Sequence, residues 1–259
     1  MKYTKQLAPV VALATLLALG PAASASTANA GENDAKIEAQ VVQKLKDKSE
    51  FKNVQSTVEN GVVTLTGTVD TFKHKLDAEK QARKSDKQVK EVRDLIEVAA
   101  PSVSDAELQK NLSRKLAYDR VGYNDNAFNV ITLGVKDGVV TLGGEVADYP
   151  AYNDALSLVE NGKGVKSVVN NLKVAPASTY DDNLRFRLFR AIYGDSVLSK
   201  YWMDPAKPIR ILVNNGHVAL YGKVDSQMDA NIAAIRANGV FGGFSVENHL
   251  TTGNSDVVD

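Results

Sequence analysis

Gly61-Val62-Val63-Thr64-Leu65-Thr66-Gly67 recurs as Gly138-Val139-Val140-Thr141-Leu142-Gly143-Gly144, and again as Gly216-His217-Val218-Ala219-Leu220-Tyr221-Gly222. Each copy is entered through a tight-turn dipeptide: Asn60-Gly61, Asp137-Gly138 or Asn215-Gly216. Asn-Gly and Asp-Gly accept the positive φ angles that a two-residue hairpin turn demands. The phrases start 77 and 78 residues apart, which is the size of a small domain and too long for a solenoid repeat. The chain therefore reads as three copies of one hairpin-centred unit.

Working outward, apolar residues precede each hairpin at helical spacing. They are Ile37, Val41 and Leu45 in the first copy, Leu108, Leu112 and Leu116 in the second, and Leu184, Leu188 and Ile192 in the third. An i, i+4, i+8 stripe between charges is the buried face of a helix. Asp34, Ser104 or Asp105, and Asp181 stand where N-caps belong. After the hairpin come a valine (Val69, Val146, Val224), a polar helix such as Lys73 to Arg83 or Ala151 to Glu160, and a closing strand. That strand is marked by Val92 and Ile96, Val168 and Leu172, and Val246 and Leu250. The order is helix, strand, strand, helix, strand. The expected fold is α+β, with three tandem αββαβ sandwich units at 34–98, 104–174 and 180–252. Leu65, Leu142 and Leu220 are expected beneath the helices.

Linkers are expected at Ala99-Ala100-Pro101-Ser102-Val103 and Ala175-Pro176-Ala177-Ser178, and a disordered tail at 253–259. The copies differ most between first helix and hairpin, where the later two carry insertions. At the start, Lys2 and Lys5 precede an apolar run from Leu7 to Leu19, followed by Gly20-Pro21 and by Ala-x-Ala sites at 23–25 and 28–30. That pattern reads as a secretory signal peptide over 1–30, cleaved at the second site. The absence of cysteine excludes disulfides and a lipid-modified mature end, and export without disulfides suits a bacterial periplasm.

The αββαβ unit, its Gly-Val-Val-Thr-Leu-x-Gly hairpin and its closing Val168-Val169-Asn170-Asn171-Leu172 strand resemble the BON-domain family. The exported arrangement is similar to the osmotically inducible periplasmic proteins of that family, with a third unit added. The resemblance implies an envelope location and binding of phospholipid or envelope proteins, in envelope or osmotic stress protection, rather than catalysis. It carries over least to the third copy, where Phe241-Gly242-Gly243-Phe244 lacks a counterpart for Val165.

Composition and motifs agree with a non-enzymatic binding protein. Lysine plus arginine equals aspartate plus glutamate at 31 each, so the basic excess typical of nucleic-acid binding is missing. His74, His217 and His249 fall at three different places in the repeat, and none has a histidine three or four residues away, as a helical metal pair would. No nucleophile elbow, phosphate-binding loop or metalloprotease motif occurs. No catalytic residue, metal or cofactor is expected. An alternative function is a chaperone-like or structural periplasmic protein that keeps client polypeptides soluble.

One helix stands apart. Phe186, Phe189 and Tyr193 lie across from the core stripe of the third unit's first helix, with Arg187 and Arg190 beside them. The sister helices carry Ala39, Val42 and Lys46, or Lys110, Ser113 and Ala117, at those places. Aromatic rings flanked by arginine suit a membrane interface or a protein partner. These five residues are the candidate lipid- or partner-binding site. The alternative is cover from within, either by the inserted loop with Tyr201 and Trp202 or by a neighbouring unit.

Overall fold

The computed structural model describes residues 23–99, 103–119 and 126–253. The expected signal-peptide core (Leu7 to Leu19), the middle of the first linker and the tail from Asn254 onward lie outside these residues.

Three αββαβ units follow one another. The first comprises α1 (Ala23–Lys46), β1 (Val54–Glu59), β2 (Val62–Val69), α2 (Phe72–Arg83), β3 (Glu91–Asp94) and β4 (Glu97–Val98). The second comprises α3 (Asp105–Tyr118), β5 (Val130–Lys136), β6 (Val139–Val146), α4 (Tyr149–Glu160), β7 (Ser167–Asn170) and β8 (Lys173–Val174). The third comprises α5 (Thr179–Tyr193), the short α6 (Lys200–Met203), β9 (Arg210–Asn214), β10 (His217–Val224), α7 (Gln227–Asn238) and β11 (Ser245–Thr252). In each sheet the second hairpin strand is central. It is antiparallel to the first strand and parallel to the last.

The repeated phrase explains the hairpins. Asn60, Asp137 and Asn215 have φ of 55°, 55° and 51°, and the glycines after them have φ of 79°, 78° and 77°. Two successive residues at positive φ are the signature of a type I′ turn, whose twist matches that of the strands. The glycine closing each phrase is required for a different reason. A Cβ on Gly67 or Gly144 would stand 2.0 Å from the carbonyl oxygen of Asn53 or Val130, at φ of 108° and 98°. Val63, Leu65 and Val69 then share the buried face, as do Val140, Leu142 and Val146, and Val218, Leu220 and Val224. Leu65, Leu142 and Leu220 are fully buried, so all three registers are as expected.

Of the expected N-caps, Ser104 holds and the aspartates need correction. Ser104 and Ser178 accept from the amides of Glu107 and Asp181 at 3.3 and 3.2 Å, whereas Asp34, Asp105 and Asp181 cap no helix. Each of these aspartates instead reaches across to the hairpin and accepts both amides of the turn dipeptide. Asn60 and Gly61 donate to Asp34 at 2.6 and 2.8 Å, and Asp137 and Gly138 to Asp105 at 2.6 and 2.9 Å. Asn215 and Gly216 donate to Asp181 at 2.9 and 2.8 Å. Helix α1 has no cap at Asp34 because it does not start there; it runs from Ala23, across the expected cleavage site.

Asp181 is buried, and the Gly216 amide it receives has no water to fall back on. Asp181→Ala should therefore destabilise the third unit by about 2–4 kcal/mol, because hydrogen bonds to a charged acceptor contribute about 1.5–3 kcal/mol each and a buried donor is left unpaired. Asp34→Ala, at a more exposed turn, should cost less. Denaturant midpoints at unchanged slope measure both, and equal small losses would show that the bonds add nothing beyond the turn itself.

The joints between units are unequal. Between the first and second, Phe72 packs against the second core, and Lys73 lies 3.7 Å from Glu160. Burial pushes the Glu160 carboxyl up despite that lysine. Between the second and third, the joint is a shared core. Ala127 and Phe128, from the second unit's insertion, are buried inside the third unit's apolar cluster. Asn129 anchors this insertion to its own unit by accepting from the Ala147 amide at 3.0 Å.

Candidate functional site

Helix α5 buries Leu184, Leu188 and Ile192 completely against the third sheet. On the flank of that stripe Arg185 is also buried, donating to the Val213 carbonyl at 2.6 Å and to Asp182 at 2.5 Å. The second apolar face turns toward the second unit. Phe128 meets the Phe186 ring edge-on at 5.5 Å and the Phe189 ring at 5.9 Å. Trp202, on α6, stands at 4.8 Å from Phe189 and 5.4 Å from Tyr193.

The five candidate residues thus divide. Tyr193 is core, its hydroxyl donating to the Ile209 carbonyl at 2.7 Å. Phe189 is half-buried beneath Phe128 and Trp202. Phe186 keeps 46% of its surface exposed, and Arg190 is exposed. Arg187 turns away from the rings to the other flank of the helix, where it donates to the Phe241 carbonyl at 2.7 Å. The structure therefore brings the three rings together and separates Arg187 from them. Both forms of cover are present, from Trp202 and from the neighbouring unit.

Tyr201 does not join that cover. It is buried toward α7, and its hydroxyl donates to Asp229 while accepting from the Asp225 amide at 2.7 Å. Lys200 completes the cluster, 2.9 Å from Asp229 and 2.7 Å from Asp225. The Tyr201 and Lys200 hydrogen bonds hold the Asp229 carboxyl down at about 2. The insertion is in this way fastened to the start of α7, which seats Trp202 over Phe189.

A second aromatic feature, which the sequence marked only as a departure from the repeat, lies at the loop between α7 and β11. Phe241 is 92% exposed and Phe244 is 73% exposed. Phe244 donates its amide to the Gly216 carbonyl at 2.8 Å, as Lys90 does to Gly61 and Lys166 to Gly138, both at 2.9 Å. Phe244 thus replaces the lysine that lies over the hairpin glycine in both sister units. By the same alignment Phe241 replaces Lys87 and Lys163. Overlaying the three loops on their hairpin bonds would have revealed the substitution. The apolar residue Val165 has Gly243 as its counterpart here, so below Phe244 the loop lacks that valine, and Val240 at its start is its apolar contact with the core. It is also held from the side. Tyr180 donates to the Gly242 carbonyl and Arg187 to that of Phe241. Tyr180 is itself 47% exposed. The result is a projecting pair of rings on a clamped loop, with a guanidinium and a phenol at its base.

Among the described residues, no group of three histidine, cysteine, aspartate or glutamate side chains is placed to hold a metal ion. His217 sits beside Phe244, its ring 5.9 Å away and its Nδ1 2.7 Å from the Ser245 hydroxyl. Among the described residues no helix is long and apolar enough to cross a membrane.

The sequence model of the BON domain matches three times, over residues 33–100, 104–176 and 190–254. The chain belongs to the BON-domain family. The third match opens at Arg190, inside α5, just before the insertion that carries α6. BON domains are phospholipid- and envelope-binding domains, generally without catalytic activity, in proteins that are typically periplasmic or membrane-associated. No curated protein matches the chain at a significant level. Among solved structures, it is similar to CdsD, a structural protein of the type III secretion system of Chlamydia trachomatis. Identity there is 15%, with 85% of this chain and 94% of that one covered, at a TM-score of 0.24. A structure described as the C-terminal domain of CdsD gives 14% identity, 82% and 94% coverage, and a TM-score of 0.23.

Proposed function

We propose that this BON-domain protein is a non-enzymatic periplasmic protein that binds envelope phospholipid through its third unit and acts in envelope or osmotic stress protection. The observation that supports this reading is the exposure of Phe241 and Phe244 where both sister units carry lysine. Two large rings held out from a clamped loop can enter the headgroup region, while Arg187 and Tyr180 at the base meet phosphate. Of the five residues singled out on α5, Arg187 belongs to this contact, while Phe186 lies against Phe128 on the other face of the helix. Phe189 and Tyr193 support the helix from within. With equal numbers of acidic and basic residues, long-range attraction to an acidic surface is weak, so the rings carry most of the affinity.

Phe241→Ser with Phe244→Ser should abolish co-sedimentation with phospholipid vesicles and leave the melting temperature almost unchanged, because neither ring is buried. Vesicles of neutral and of acidic headgroups give the headgroup dependence. Unaltered binding by the double variant would reject this loop as the contact. Absence of vesicle binding together with protection of an unfolded outer-membrane protein would favour the chaperone-like alternative.

A further inference from the structure

The third sheet ends on a strand unlike its sisters. In the first two units the outer strand is interrupted, as β3 and β4 or as β7 and β8, with a two-residue break in the register between. In the third unit β11 runs unbroken through Ser245–Thr252, all eight residues in register with β10. Helix α7 covers one face of it, but among the described residues no strand pairs with its outer side. A continuous open edge presents a row of unused backbone donors and acceptors, which natural sheets normally interrupt or cover.

We propose that this edge pairs with the same edge of a second copy of the chain, antiparallel and about a two-fold axis through Asn248. The argument is the self-complementarity of Ser245-Val246-Glu247-Asn248-His249-Leu250-Thr251. Turned end for end about Asn248, Ser245 stands opposite Thr251, Val246 opposite Leu250, and Glu247 opposite His249. Each pairing occurs twice by symmetry, which is the requirement of an isologous contact. Each Glu247 carboxylate meets an imidazole rather than a second carboxylate, so the edge does not repel its own copy as a row of like charges would. Glu247 and His249 share the open face of the sheet, 3.0 Å apart, and His249 stacks on Tyr221 at 4.8 Å. The carboxylate and imidazole are therefore already upright where the neighbouring strand would meet them. The product is a six-stranded sheet across two molecules. The interrupted edges of the first two units offer no such seam.

A single strand pair is smaller than the roughly 1,200 Å² of a stable interface, so the dimer is expected to be reversible and concentration-dependent. Sedimentation velocity of the full chain, from about 1 µM to about 1 mM, should show a monomer–dimer equilibrium. His249→Glu lines the seam with four carboxylates and should raise the dissociation constant about tenfold or more. Adding Glu247→Lys restores opposite charges across the seam and should recover the dimer. Circular dichroism of each variant establishes that the monomer remains folded. A chain that stays monomeric throughout, or a dimer indifferent to His249→Glu, overturns the proposal. Monomers that instead bind an extended peptide along β11 would assign the edge to another partner and likewise overturn it.

Discussion

Phe128→Ala is expected to destabilise the third unit more than the second, although Phe128 belongs to the second. The ring is buried among third-unit residues and braces both Phe186 and Phe189. Removing a buried phenylalanine costs about 3–5 kcal/mol, and the gap lies where two units meet, so neither can close over it without moving the other. Hydrogen exchange resolved along the chain should show faster exchange in α5 and β9. Loss of protection confined to residues 126–146 would mean that the ring only decorates the third core.

Leu142→Ala should remove about 2–5 kcal/mol from the second unit, because Leu142 lies on the central strand and is fully buried. The loss should spread in one direction. Weakening β6 loosens the Asn129 anchor at Ala147 and with it the seat of Phe128, so the third unit should lose part of its protection. The first unit is joined through Phe72 and a partly exposed lysine–glutamate pair, and should keep nearly all of its own. Such a pair contributes about 1 kcal/mol or less. Equal loss in all three units would show one cooperative body, and no loss in the third would refute the shared core.

What the sequence revealed follows the range of the forces involved. The hairpins and the leucine stripes were legible because turn chemistry and amphipathic periodicity act within a few residues. Asn60-Gly61 reads as a turn whatever surrounds it. The aspartate clamps were misread as N-caps because the bonds that matter run from Asp34 to Asn60 or from Asp181 to Asn215, with no local signature beyond threefold recurrence. The aromatic stripe on α5 was legible as an anomaly. Its cover could not be settled from the helix alone, because half of it comes from Phe128 in another unit. Phe241 and Phe244 were legible only as a departure from the repeat, and not as a contact, for the opposite reason. Nothing about them is periodic, and they stand out only against lysines at equivalent places in the sister loops.

The Phe128 joint also bears on how the copies can be exchanged. Their hairpin phrases still share both glycines and the buried valine and leucine, so by that measure any unit could stand in for any other. The joint removes this freedom. A first-unit copy placed second would bring Phe51 to the equivalent place, but that ring is buried in the first unit's own core and does not reach a neighbour. A first-unit helix placed third would offer Ala39 and Val42 where the ring needs Phe186 and Phe189. The second and third units can be inherited or shuffled only as a couple, while the first remains a separable companion. A chain triplicate in its letters is thus one plus two in its heritable parts.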